Sequence, residues 1–215
     1  MIKEDLLRIY ESSFARHWEL PAIADYTGGE AVTYGELARR IAMVHLTFKK
    51  LGIRRGDKVA VLGRNSVAWI TAYMATVTYG AVVVPVLQDF NPQDAQHIIN
   101  HSDSVLLYIN EQLCEHLDLS QMPRLKAAIS LDDANLLTEA CTPQKPTRTS
   151  SILKGIPPLS ERTYPGASAP AELHYANTTP NALMESNYTS GTPGSCQGVT
   201  LTDNTLRGHQ VCGLA

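Results

Sequence analysis

Residues 58–86 run Lys58-Val59-Ala60-Val61-Leu62, then a segment from Ser66 to Tyr79, then Gly80-Ala81-Val82-Val83-Val84-Pro85-Val86, and the architecture follows from them. Two apolar runs of strand length flank a segment carrying Trp69, Tyr73 and Val77 at helical spacing. The run 81–86 is β-branched and apolar on both faces, the pattern of a strand buried in a parallel sheet. Pro85 has no ladder donor to offer and belongs near the strand end. Asn65 and Ser66 offer a cap for the helix, and Gly80 closes it.

The same alternation extends in both directions. Upstream, Leu6, Ile9, Tyr10 and Phe14 form one helical stripe within residues 3–18, and Gly28-Gly29 marks a turn. Thr33-Tyr34-Gly35-Glu36 reads as a capping box. Leu37, Ala38, Ile41, Val44, Phe48 and Leu51 continue that helix, and Gly52 can take the left-handed conformation that ends it. Arg54-Arg55-Gly56-Asp57 is a polar turn into the first strand. Downstream, Asn91-Pro92 starts a helix that runs to about Ser102. Residues 105–109 read as a strand, 111–117 as a short helix, and 127–131 as a further strand. Strands alternating with helices imply an α/β fold, with a mainly parallel sheet and helices on both faces. No internal repeat is present.

Composition excludes several classes. The chain has 215 residues, 44% hydrophobic and 18% charged, with a formal net charge of −3. That is neither a disordered acidic tail nor a strongly basic nucleic-acid binder. No apolar run approaches the roughly 18 residues of a membrane span, and no secretory signal follows Met1. Cys114, Cys141, Cys196 and Cys212 form no C-x-x-C pair, which speaks against a zinc site or disulfide framework. A cytoplasmic protein is expected.

The character changes after Leu137. Seven of the twelve prolines fall between 138 and 183, so three parts are expected: an α/β unit over 1–137, a proline-rich connection over 138–183, and a glycine-rich element over 184–215. In the last part Thr189, Ser190, Thr192 and Ser195 are interleaved with Gly191, Gly194 and Gly198. Glycines let a backbone approach a ligand closely, successive N–H groups can form an anion nest, and hydroxyls add donors to phosphate oxygens. Composition alone would favour a plain Ser/Gly loop. The G-K-[ST] of a Walker loop is absent, as is a G-x-G-x-x-G dinucleotide fingerprint.

Residue order goes further than composition. Tyr188-Thr189-Ser190-Gly191-Thr192-Pro193-Gly194-Ser195-Cys196-Gln197-Gly198-Val199 resembles the phosphate loop Y-T-S-G-T-T-G-x-x-K-G-V of adenylate-forming enzymes, the AMP-binding superfamily that includes acyl-CoA synthetases. Pro193 and Gln197 are the two departures. Val32-Thr33-Tyr34-Gly35-Glu36-Leu37, residues 51–60 and residues 80–86 resemble the family's N-terminal landmarks in the family's order. Within the family the chain is most similar to bacterial long-chain fatty-acid–CoA ligases.

The resemblance implies an AMP-forming ligase that uses ATP and Mg²⁺ to join a fatty acid to coenzyme A through an acyl-adenylate. It places Thr189, Ser190, Gly191, Thr192, Gly194 and Gln197 at the ATP phosphates. Lysine at position 197 would bring a full charge where Gln197 brings a dipole, and loss of a charged partner to a phosphate is worth about 1.5–3 kcal/mol, the range for hydrogen bonds to charged groups. Pro193 removes a backbone donor. Only the N-terminal part of the family's fold is matched, so no catalytic residue and no metal ligand is assigned. The chain alone is expected to be truncated and inactive, unless a companion chain supplies the remaining domains. The alternatives are a non-catalytic nucleotide- or phosphate-binding module and an inert fragment. Neither a nucleic acid nor a membrane span is expected among its partners. His97 and His101, four apart on a helix, are read as an exposed face rather than a metal site, and Trp69 and Tyr73 as a core stripe rather than an acyl channel.

Overall fold

A computed structural model describes residues 5–26, 29–134, 136–137, 167–189 and 197–212. The expected alternation is present. Helix α1 (Leu6–Arg16) precedes a small antiparallel pair, β1 (Pro21–Ala24) and β2 (Ala31–Thr33). Gly28 of the expected turn lies outside the described residues. Then come α2 (Tyr34–Lys50), β3 (Lys58–Leu62), α3 (Val67–Tyr79), β4 (Val82–Val86), α4 (Pro92–His101), β5 (Ser104–Ile109), α5 (Glu111–Cys114) and β6 (Ala127–Ser130). The chain resumes in β7 (Leu183–Thr189), β8 (Gln197–Thr202) and α6 (Asp203–Cys212).

Local chemistry sets the helix ends. Glu36 N–H donates to Thr33 Oγ1 at 3.2 Å while Thr33 N–H donates to Glu36 Oε2 at 2.8 Å, which completes the capping box of α2. Ser66 and Asn91 cap α3 and α4 with their side-chain oxygens. Gly52 (φ 64°) and Gly80 (φ 81°) take left-handed conformations after α2 and α3, where a Cβ would be strained. The expected helix over 111–117 is shorter: α5 stops at Cys114, and a 3₁₀ turn follows at Leu119–Gln121.

The six-stranded sheet has the order β6-β5-β3-β4-β7-β8, parallel throughout except for β8, which runs antiparallel to β7. Side-chain alternation splits the strands between two cores. Val59, Val61, Val83, Leu106, Tyr108 and Ile129 pack with α1, α2 and α3 on one face. Ala60, Leu62, Val84, Val86, Leu107, Ile109 and Ala128 pack with Ala95, Ile98 and Ile99 of α4 on the other. Strands apolar on both sides are therefore covered on both sides, as their sequences require.

The expected proline-rich connection lies outside the described residues over 138–166. Its described remainder joins the first core. Leu173 and Tyr175 are buried there, Ala176 N–H donates to Thr78 O at 2.9 Å, and Arg8 Nη2 donates to Tyr175 O at 2.6 Å.

Candidate functional site

Val83 of β4 pairs in parallel with Glu185 of β7, which sets the carboxyl end of β7 beside that of β4. Thr189, the last residue of β7, stands opposite Gln197, the first of β8. The hairpin therefore brings the two ends of the sequence motif together at the carboxyl edge of the parallel strands. Ligands of open α/β sheets collect at that edge. Of the six residues read as phosphate-binding, Thr189 and Gln197 are placed in register, while Ser190, Gly191, Thr192 and Gly194 lie outside the described residues, as do Pro193 and Cys196.

Three attachments hold this hairpin. Tyr188, next to Thr189, is buried in the second core, and its hydroxyl is in hydrogen-bond contact with His101 Nδ1 at 3.0 Å. Across the hairpin, a Cβ on Gly198 would meet the Tyr188 ring at 3.1 Å, so glycine there leaves room for the ring. Deeper in β7, the buried Glu185 accepts from the Tyr73 hydroxyl of α3. Beyond β8, Asp203 is buried and its Oδ1 accepts from Leu6 N–H at 3.1 Å and from Thr178 Oγ1 at 2.9 Å, tying α6 to the start of α1.

The carboxyl ends of β3, β4, β5 and β6 border a cavity of about 590 Å³ lined in part by Arg64, Gln88, Asp89, Asn110, Glu111 and Asp132. Its wall is tied together by hydrogen bonds. Asn110 Oδ1 accepts from Arg64 N–H at 3.0 Å, Asn110 Nδ2 donates to Asp132 Oδ1 at 2.6 Å, and Glu111 N–H donates to Asp132 Oδ2 at 2.9 Å. The connection after β3 leads to β4 on one side, whereas the connection after β5 leads to β6 on the other. The cavity thus sits at a switch point of the sheet, where side chains splay and leave a crevice.

The remaining sequence candidates resolve simply. His97 and His101 are exposed on α4 with ring centroids 5.7 Å apart. Among the described residues no group of three or more His, Cys, Asp or Glu could hold a metal ion. Magnesium that accompanies a nucleotide takes most of its ligands from phosphate and water, so such an ion needs no protein cage. Trp69 and Tyr73 stack at 5.5 Å and pack against the first core. Arg54 N–H donates to Asp57 Oδ2 at 2.8 Å, so Asp57 serves its turn as expected. Among the described residues no helix is long and apolar enough to cross a membrane.

Residues 10–213 match the AMP-binding enzyme family, and the chain belongs to it. A feruloyl-CoA synthase of Amycolatopsis sp. is 38% identical over 85 residues, 39% of this chain and 17% of that protein. A long-chain-fatty-acid–CoA ligase of Escherichia coli O157:H7 is 25% identical over 214 residues, 94% of this chain and 37% of that one. The fold is similar to that of an anthranilate CoA ligase in complex with anthranoyl-AMP (TM-score 0.70, 18% identity, 93% of this chain and 34% of that one). It is also similar to a long-chain-fatty-acid–CoA ligase from Archaeoglobus fulgidus (TM-score 0.66, 17% identity, 94% and 38%). The chain spans less than two-fifths of each of these proteins and corresponds to their N-terminal portion.

Sequence reading missed His101 and Glu185 as supports of the hairpin. Both attachments join residues about a hundred positions apart, and no local period reports such pairs. The one available signal was a carboxylate, Glu185, five positions before the glycine-rich loop in a segment next to apolar Met184.

Proposed function

We propose that this chain is the ATP-gripping N-terminal portion of an acid–thiol ligase of the long-chain fatty-acid–CoA ligase type. The hydroxyl-and-glycine span between Thr189 and Gln197 holds the β- and γ-phosphates while a carboxylate displaces pyrophosphate from the α-phosphorus. Positioning and neutralisation of the triphosphate are the main demands of that step. Thr189, Ser190 and Thr192 supply hydroxyl donors, Gly191 and Gly194 permit close approach of the backbone, and Gln197 contributes an amide. Bound Mg²⁺ would supply further charge neutralisation at the phosphates.

One observation carries this reading: Thr189 and Gln197 stand opposite each other at the carboxyl edge of the sheet, with the motif between them. The long-chain-fatty-acid–CoA ligase of E. coli, matched over 94% of this chain, supports a fatty acid as the acid and coenzyme A as the acceptor. A cytoplasmic setting, where both cosubstrates reside, belongs to the same reading. The alternatives of a non-catalytic module or an inert fragment have no counterpart among the relatives named above.

Calorimetric titration of the 215-residue chain tests the proposal. MgATP should give a saturable signal, AMP a weaker one, and Thr192→Ala should weaken the response to ATP. Equal affinity for ATP and AMP, or no saturable signal with either, would overturn it. The chain alone, spanning about a third of the fold in solved relatives, should release no pyrophosphate with ATP and a fatty acid. Adding a companion chain that carries the remaining domains should restore release.

A further inference from the structure

We infer that His101 is a positioning residue for the phosphate loop, acting through the Tyr188 hydroxyl; the inference rests on the ATP-gripping role proposed for that loop. Tyr188 immediately precedes Thr189, so its side chain anchors one leg of the hairpin at the mouth of the loop. That anchor is specific. The ring is buried under α4, its hydroxyl meets His101 Nδ1 at 3.0 Å, and the two rings meet edge to face at 5.8 Å and 86°. The other leg is held by the same ring. Tyr188 pairs with Gly198 across the hairpin, and the absence of a Cβ on Gly198 brings the β8 backbone close to the ring. A single aromatic side chain therefore contacts both ends of the loop, and His101 fixes where its hydroxyl can lie.

His101 also ties the loop to the core. It is the last residue of α4, whose preceding turn buries Ile98 and Ile99 beneath the sheet. The helix itself starts just past the carboxyl end of β4, beside the cavity that Gln88 and Asp89 line. His101 is an exposed residue, and its ring contacts are with His97 and Tyr188. The pairing with Tyr188 is its specific contribution, and rotation of the tyrosine would release Thr189 and Gly198 together.

The test compares the 215-residue wild type with His101→Ala, His101→Asn, Tyr188→Phe, the His101→Ala/Tyr188→Phe double variant and His97→Ala. Asn is chosen because its amide can occupy the place of Nδ1. Two readouts are taken: amide hydrogen exchange over residues 186–200, and calorimetric affinity for MgATP. His101→Ala and Tyr188→Phe should each speed exchange over 186–200 and weaken ATP binding about fivefold, the size of one lost hydrogen bond. The double variant should add nothing further, His101→Asn should restore both readouts, and His97→Ala should change neither. Unchanged exchange in His101→Ala, failure of Asn to rescue, or an equal effect of His97→Ala would overturn the positioning role. If the wild type binds no ATP, the ligase reading fails, and the exchange measurements still decide whether His101 positions the hairpin. If ATP binds but none of the variants changes its affinity, the positioning role fails and the ligase reading stands.

Discussion

The Tyr73 hydroxyl donates to Glu185 Oε2 at 2.5 Å, joining the middle of α3 to the middle of β7 inside the first core. Glu185 stands between Val83 on one side and Leu201 on the other and is 7% exposed. Burial, followed by the carboxylate beside it, pushes the Tyr73 phenol far above the usual tyrosine range, so the proton stays on Tyr73 and the bond keeps its polarity. Phe at position 73 strands a buried carboxylate, at a cost of about 1–3 kcal/mol. Urea unfolding should show that loss in Tyr73→Phe, and the Tyr73→Phe/Glu185→Leu pair should regain most of it, because neither partner is then left polar. Equal stability of Tyr73→Phe and wild type would show that the bond contributes nothing.

His45 predicts an acid-sensitive stability. Its Nε2–H donates to Ala75 O at 2.9 Å between α2 and α3, with the Tyr79 and Tyr175 rings beside it. Burial is the main cause of a pKa lowered to about 4, with Lys49 adding to it and the bond to Ala75 opposing it. The unfolded chain takes up this proton near pH 6.5 and the folded chain only near 4. Stability is therefore fully present above 6.5 and falls as the pH drops towards 4. Between pH 6.5 and 5, above the range where most carboxylates protonate, the loss should be about 1.5 kcal/mol. Urea midpoints measured across that window should fall for wild type and stay flatter for His45→Asn. Parallel slopes would assign the acid sensitivity elsewhere.

Gly63 is required by the crevice. A Cβ there would meet Asn110 Oδ1 at 2.4 Å and Leu131 Cδ1 at 2.6 Å. Asn110 cannot swing aside freely, because it bonds both Arg64 N–H and Asp132. Gly63→Ala should cost about 1–3 kcal/mol of stability, and amide exchange at Arg64 and Glu111, whose N–H groups end in this network, should rise. Unchanged exchange at both positions would show that the crevice yields without strain.

Gln197 is the departure from the family motif most open to repair. Its backbone faces Thr189, so a longer cationic side chain there starts from the mouth of the loop. A bond to a charged partner exceeds a neutral one by roughly 1 kcal/mol or more. Gln197→Lys should tighten MgATP about tenfold in calorimetry and leave AMP nearly unchanged. Equal tightening of both nucleotides would place the new charge away from the β- and γ-phosphates.

Much of this protein was legible in one dimension. The capping box at Thr33, the asparagine–proline start at Asn91, the two left-handed glycines and the doubly apolar strands are local devices. Each depends on residues within a few positions of one another, so a linear reading finds them. Order along the motif from Tyr188 to Val199 likewise pointed to the AMP-binding family, whose model matches residues 10–213, because the resemblance lies in a contiguous string of residues. The pair β1–β2 was not legible, since strands of four and three residues are too short to show a period. The strand Leu183–Thr189 was obscured by Glu185, Ser186 and Asn187, polar residues whose placement depends on partners elsewhere in the chain. Tertiary structure alone decided that β8 turns back antiparallel, that Glu185 meets Tyr73, that Tyr188 meets His101, and that Asp203 accepts from the N–H of Leu6, 197 residues away. These are contacts across the sheet and between layers, where burial gives a polar pair its energy, and sequence separation carries no record of which faces will meet.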